Sequence, residues 1–558
     1  MRGDTSVKIT LQQISSLEKV RNGVQETYAS CHSRKALAGE RICYQLYVHA
    51  DDQVFAQLKV ESELAQYVRL YRVRDVMMDA PVIIPTAQED YLTQTPSMMP
   101  DVLIPMEEMG NKLYFDKVPF ALWVKVDVPA DMKPGNYPVT IQLQCDRPGG
   151  AHIETLEQTM EISVIPAVMP QQKLIYTRWM YLDCIATAHN VEVFSPEHWH
   201  LIEKYIQAAT DIGINMLMVP VHTPPLDTEV GTARPCVQLV DVERTESGYR
   251  FGFERFHRYI ELCKKYGVRY FEIAHMFTQW GATATPNIMV TENGQSGYGF
   301  GWHVSSDDPR YVEFLRQYIP AIVRELEKAG IAEHTYFHVS DEPSVNDEAS
   351  YRKAADLIRP LIGKCRSYDT LSEIDFYEKG LVETPVTIIS SIHKFLEREI
   401  ENQWVYYCCG PNEVYPNCFM AFPSYRVRIL GFLLYRYNIK GFLQWGFNFY
   451  NSIRSLYPIN PYLTTSSDGA FPSGDPLLVY PGKDGAYPSI RGEVTFEAVQ
   501  DMDICYALEE RIGRESVIQM IDEAAGKTLR FDDYPRSSEY ILQLREQIIN
   551  RIAKEIHG

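Results

Sequence analysis

The chain has 558 residues, of which 45% are hydrophobic and 23% charged, with a formal net charge of −19. That length calls for two or three domains, and the composition excludes a disordered or fibrous chain. The acidity disfavours nonspecific binding to nucleic acid or an anionic membrane, both of which need clustered Lys and Arg, and suits a neutral ligand better.

The opening MRGDTSVKITLQQ has no apolar signal-peptide core, and the apolar runs fall short of the roughly 20 residues of a membrane span. The expected location is cytoplasmic, or secreted if the numbering starts at a trimmed end. Eleven scattered cysteines, an odd number, fit reduced thiols better than a disulfide framework.

Residues 1–168 read as an N-terminal β-sandwich. Phe120, Leu122, Val124, Val126 and Val128 alternate with residues such as Lys125 and Asp127, a period of two. After the turn PADMKPGNYP, Val139, Ile141, Leu143 and Cys145 alternate with Thr140, Gln142 and Gln144, which predicts an antiparallel hairpin with one buried face. Similar alternation over Ile42 to Val48 supports two packed sheets. Pro166 and Pro170 then interrupt sheet pairing and mark a stiff connection.

Residues 169–505 change to short apolar strands separated by amphipathic helices, the rhythm of a (β/α)8 barrel. Strands are expected at Ile175–Met180, Met216–Val221, Tyr270–Ala274, Thr335–Val339, Ser367–Asp369, Val386–Ser390, Trp404–Cys408 and Gly441–Trp445. Between them Ser195, Pro196 and Glu197 start a helix as cap, first-turn proline and early acid. Further helices run around Phe253 to Tyr266 and from Val312 to Ala329, the latter ended by Gly330. Residues 506–558 form a helical extension packing on the barrel, closing with the charged amphipathic run ILQLREQIINRIAKEIHG.

Reactive groups of such a barrel lie at the C-terminal strand ends. Those positions hold Arg178, His222, His275, Asp341, Glu342, Asp369, Trp445 and Asn448, with Glu413 and Tyr415 beyond the seventh strand. Carboxylates and indoles together suit a sugar site, since acids move protons and aromatic faces pack on pyranose rings. The strongest local signal is YFHVSDEP, residues 336–343, an apolar strand running into two carboxylates. The competing reading makes Ser340 and Asp341 caps of the next turn. His222 and His275 divide between sugar contact and backbone-bonded histidines; Trp445 and Asn448 between ligand contact and packing. Asp369 and Glu373 divide between supporting charges and a solvated loop, while Cys408 and Cys409 are read as structural thiols.

Asp341-Glu342 after the fourth strand, YYCCGPNEVYPN, GFLQWGFNFYN and LLVYPGKDGAYPSIRGE together resemble glycoside hydrolase family 123, which comprises β-N-acetylgalactosaminidases and many relatives. The resemblance spans most of the chain. It implies retaining hydrolysis assisted by the substrate, whose 2-acetamido carbonyl attacks the anomeric carbon to give an oxazolinium-type intermediate, an exception to the two-carboxylate scheme. Asp341 would then orient the acetamido group. Glu342 would protonate the leaving oxygen and later activate water, kept protonated for acid duty by its neighbour's charge. His275, Trp445, Asn448, His222, Tyr415, Arg178 and Asp369 are the expected substrate contacts. No metal or cofactor is implied; the partner is a glycan or glycoconjugate, with a homo-oligomer possible in principle. The chain departs from the family pattern at Phe496 to Met502, a region read as peripheral. Two other readings stay open: a double-displacement glycosidase on a sugar lacking the acetamido group, with Glu342 as acid and Glu413 as nucleophile, and a non-catalytic carbohydrate-binding relative.

Overall fold

The computed structural model describes residues 7–557 apart from 25, 83–89 and 280. Alternating apolar positions before residue 170 build strands β1 (Ile9–Ser15), β2 (Ser33–Ala38), β3 (Arg41–Ala50), β4 (Val54–Glu61), β5 (Val68–Met78), β6 (Ser97–Pro105), β7 (Lys112–Phe115), β8 (Phe120–Asp127), β9 (Gly135–Asp146) and β10 (His152–Val168). They form two five-stranded sheets in the orders β1-β3-β8-β5-β6 and β2-β10-β9-β4-β7. The sheets enclose a core that includes Leu122, Val124, Ile141 and Leu143.

The expected hairpin of β8 and β9 is corrected here: β8 pairs with β3 and β5, β9 with β4 and β10. The two strands face each other across the core. Alternation tells which face is buried, not whether a strand's partner lies beside it or opposite. The outer face of β8 is buried as well, Trp123 and Lys125 being 0% and 3% exposed.

A closed barrel follows, with strands β11 (Ile175–Arg178), β12 (Met216–Val219), β15 (Tyr270–Ile273), β18 (Thr335–Phe337), β19 (Arg366–Leu371), β20 (Thr384–Ile388), β21 (Trp404–Tyr406) and β22 (Gly441–Gln444). The intervening numbers belong to β13 (Asp241–Thr245), β14 (Gly248–Gly252), β16 (Ile288–Glu292) and β17 (Gln295–Phe300), a separate four-stranded sheet made from the loops after the second and third barrel strands. The sequence reading did not anticipate this sheet. Its strand QSGYGF is glycine-rich and mostly exposed, so it carries no apolar period. Helix Pro196–Asp211 starts as expected, the Ser195 side chain accepting from the His198 amide. Helix Pro309–Lys328 is capped by Asp308, and Gly330 follows at φ 71°.

Helix Ile490–Ile512 carries the region read as peripheral, and it is central instead, buried from Ile490 through Thr495 and again from Glu497 through Leu508. Its polar residues fasten the sandwich to the barrel. Glu493 is 3.3 Å from Arg41 and 3.2 Å from Lys125, and both cations also hold Asp211. Arg491 pairs with Asp101 at 2.9 Å, and Arg428 with Asp501 at 2.7 Å. Ion pairs this deep contribute little net stability, but removing one partner leaves an unpaired buried charge. Helix Ser538–His557 joins the same seam, where Arg545 bonds Glu40. No helix among the described residues is long and apolar enough to cross a membrane.

Candidate active site

At the C-terminal end of the barrel a cavity of about 160 Å³ is lined by Trp179, Tyr181, Leu226, Asp227, Gln279, Asp341, Glu342, Thr370, Tyr406, Tyr407, Cys408, Cys409, Leu443, Trp445 and Phe471. The segment leaving β18 places both carboxylates in it. Ser340 is held from below, its hydroxyl donating to the Thr278 carbonyl at 3.1 Å. The turn beyond is capped by Ser344, which forms a capping box with Asp347, so the capping role considered for Ser340 and Asp341 falls to a later residue.

Thr370 of β19 ties the two acids together. Its hydroxyl donates to Asp341 Oδ1 at 2.8 Å and accepts from the Glu342 amide at 3.1 Å. Glu342 is exposed and has φ 43°, the left-handed region, where a non-glycine residue costs roughly 1 kcal/mol and persists only when its surroundings hold it. Tyr406 supplies one such restraint, donating its hydroxyl to Glu342 Oε1 at 2.7 Å. Asp341 is 8% exposed. Burial first, and the Glu342 charge second, push its carboxyl up to about 7. The two carboxylates repel each other, so the pair is held to a single negative charge more easily than to two.

Beneath the cavity floor lies a buried charged layer. His338 is bonded to Glu272 at 2.6 Å and to Asp369 at 3.0 Å. Burial opposes its charge, but those two carboxylates outweigh the penalty and hold it up at about 9. His275 stacks on His338 with ring centroids 3.9 Å apart, and burial followed by the His338 charge keeps it neutral. Trp179 stands edge-on to both rings. A cation therefore sits under the Asp341 carboxyl and partly offsets its burial.

Of the expected substrate contacts, Trp445 lines the cavity and the other six do not. Arg178 is 0% exposed, donating to Tyr176, Gln444 and the Gly446 carbonyl inside the barrel. Asn448 clasps the Tyr181 backbone through its carbonyl and amide. His222 bonds the His275 carbonyl, and both histidines are 0% exposed. Asp369 serves His338, the Val339 amide and Tyr351. Tyr415 lies on the loop beyond β21, in a turn closed on Asn412. Glu413, on the same loop, is exposed and does not line the cavity. Glu373 is at the surface, 3.8 Å from Lys394. Cys408 and Cys409 both line the cavity, and Cys409 is exposed, so the reading as structural thiols is corrected for that residue.

Trp445 is fixed rather than free. Its indole N–H donates to Asp475 at 3.0 Å, and Phe471 and Phe449 meet it edge-on. Thr370, Tyr406, Trp179, Asp227 and Gln279 were missed by the sequence reading. Thr370 adjoins Asp369 and Trp179 adjoins Arg178, so these two were one position from a chosen residue, while Tyr406 lies within an expected barrel strand. The parity of a three- to six-residue strand decides which neighbour faces the cavity. Among the described residues no group of three or more His, Cys, Asp or Glu is placed to hold a metal ion.

A closed barrel with a sandwich at its N-terminal side, adjacent carboxylates at a strand end and an aromatic cavity above them is the arrangement of a glycoside hydrolase. The family comparison agrees: the profile described as glycoside hydrolase 123, catalytic domain, matches residues 179–508. The chain belongs to glycoside hydrolase family 123. Among solved structures, a family 123 glycoside hydrolase from Clostridium perfringens, described for glycolipid glycan hydrolysis, aligns with TM-score 0.72 and 14% identity over 99% of this chain and 98% of its own. A family 2 member from Bacteroides cellulosilyticus DSM 14838 aligns at TM-score 0.27 and 9% identity over 83% of this chain and 48% of its own, too slight a likeness to bear on the fold. No curated protein matched the sequence.

Proposed function

We propose that this glycoside hydrolase removes β-linked N-acetylgalactosamine with retention, using the substrate's own 2-acetamido group as nucleophile. The observation that carries the reading is the unequal environment of the two adjacent acids: Asp341 buried and held by Thr370, Glu342 open to the cavity and held by Tyr406. One group is thereby suited to a fixed electrostatic task and the other to proton traffic. As the acetamido oxygen attacks the anomeric carbon, positive charge develops on the acetamido nitrogen. The Asp341 carboxylate, costly to ionise in the free enzyme, is stabilised by that charge and accepts the N–H, so the interaction strengthens toward the transition state. The pair shares one proton; with Asp341 ionised beside the developing charge that proton rests on Glu342, which delivers it to the leaving oxygen and then takes one from the water that opens the oxazolinium ring. Trp445, clamped by Asp475, offers an indole face to the sugar. The substrate class extends by analogy to the glycolipid glycans described for the Clostridium perfringens relative.

The reading is tested with 4-nitrophenyl β-glycosides of N-acetylgalactosamine, N-acetylglucosamine and galactose, comparing wild type with Asp341→Asn and Glu342→Gln. Release from the N-acetylgalactosaminide, lost in Asp341→Asn, is expected. Release from the plain galactoside that survives Asp341→Asn would contradict substrate assistance.

A further inference from the structure

A third carboxylate lines the cavity, and the mechanism above does not use it. Asp227 lies on the loop after β12 and is half-buried. Its backbone is unusual: φ is 43°, and it meets Arg454 and Ser455, at 55° and 54°. Non-glycine residues seldom adopt the left-handed region, so three at one contact require a firm hold. That hold is visible. Asp227 Oδ2 accepts from the Arg454 amide at 2.9 Å, its carbonyl accepts from the Ser455 hydroxyl at 2.7 Å, and its own amide donates to Gln279 Oε1.

The restraints fix one carboxylate oxygen and leave the other. Among the described residues Oδ1 has no hydrogen-bond partner, and no cation stands within ion-pair distance: the nearby Arg454 pairs with Glu229 and Arg234 with Asp183. Burial pushes this carboxyl up to about 6, so at neutral pH it is mostly ionised. An anionic oxygen without a donor, beside an amide side chain in a cavity walled largely by aromatic rings, calls for a ligand rich in hydroxyl donors.

We propose that Asp227 is a specificity-determining residue whose free Oδ1 accepts hydrogen bonds from hydroxyls of the sugar ring bound in the cavity, with the Gln279 amide beside it as the second polar contact. The proposal rests on the cavity being the sugar site, but not on the acetamido mechanism. A hydrogen bond to a charged acceptor changes affinity by about 1.5–3 kcal/mol, or roughly 10- to 100-fold. Asp227→Asn is the informative variant. Its amide oxygen can still accept from the Arg454 amide and preserve the loop, whereas the unbonded oxygen is replaced by an N–H donor.

The experiment measures kcat and KM for wild type and Asp227→Asn on the 4-nitrophenyl β-glycoside that the wild type hydrolyses and on its 3-, 4- and 6-deoxy analogues, with melting temperatures alongside. Expected is a roughly 10- to 100-fold loss of kcat/KM on the parent, carried by KM, and little further loss on the deoxy sugar that lacks the contacting hydroxyl. An equal loss on every sugar overturns the proposal, as does no loss on the parent, or a collapse of kcat at constant KM, which would mark a nucleophile. If Asp227→Asn does not fold, Gln279→Met is read against the same series, with the same selective pattern expected. A wild type acting on the plain galactoside would defeat the acetamido reading, yet the deoxygalactoside series would still decide Asp227. Should no glycoside turn over, binding of the free sugars followed by tryptophan fluorescence makes the same comparison.

Discussion

Replacing Asp341 by Asn should make the protein more stable, and increasingly so as pH rises. The side chain is buried beside Glu342, and its carboxyl is raised from 3.8 to about 7. The folded chain therefore keeps a proton that the unfolded chain has lost between about pH 4 and pH 7, and linkage makes stability fall as pH rises through that window. With about 1.4 kcal/mol per unit, the ionised group costs the fold roughly 1 kcal/mol at about pH 4.5 and roughly 4 kcal/mol at about pH 8. Asparagine removes the charge and can still accept from Thr370. Denaturant or thermal unfolding of the two proteins at both pH values reads the difference, expected to widen by roughly 3 kcal/mol toward the higher pH. A stability difference that is constant with pH, or a wild type that is the more stable at about pH 8, would refute the electrostatic account of this residue.

Four further outcomes follow from the geometry. The active pair holds one proton, on Glu342 with Asp341 ionised, and the raised carboxyl at about 7 marks the loss of that last proton, so kcat/KM should fall as pH rises through about 7; a kcat/KM still rising at about pH 8 would deny the shared proton. Glu342→Gln should lose roughly 10²- to 10⁴-fold in kcat on a glycoside with a poor leaving group and less on a 4-nitrophenyl glycoside, whose departure needs little protonation; equal losses would remove Glu342 as the acid. His338→Gln should destabilise most at about pH 6 and progressively less toward about pH 10, because a histidine raised in the fold contributes its stability below the unfolded value and loses it through the folded one. Arg491→Met should cost about 3–5 kcal/mol by stranding the Asp101 carboxylate, read by chemical denaturation.

The barrel was legible because each strand is a short apolar run followed by helix, and all eight expected runs overlap a barrel strand. Asp341 and Glu342 were legible because they follow such a run and resemble a known family. What the sequence hid was geometry that periodicity does not encode. Strands β8 and β9 show the same alternation whether they pair or face each other. Asp369 and Thr370 are neighbours, and only the pleat decides that the first bonds His338 beneath the floor while the second bridges the two acids. Helix Ile490–Ile512 reads as an ordinary polar helix because the acids and arginines on it are neutralised by partners hundreds of residues away. Asp227 sits in a segment without secondary structure, where no period exists to read.

The most direct test of the central claim is a titration with the thiazoline analogue of N-acetylgalactosamine, which mimics the oxazolinium intermediate. Substrate assistance at Asp341 requires the analogue to bind at least about 10²-fold more tightly than N-acetylgalactosamine itself and to lose most of that advantage in Asp341→Asn. Binding no tighter than the parent sugar, or unchanged by Asp341→Asn, would contradict it.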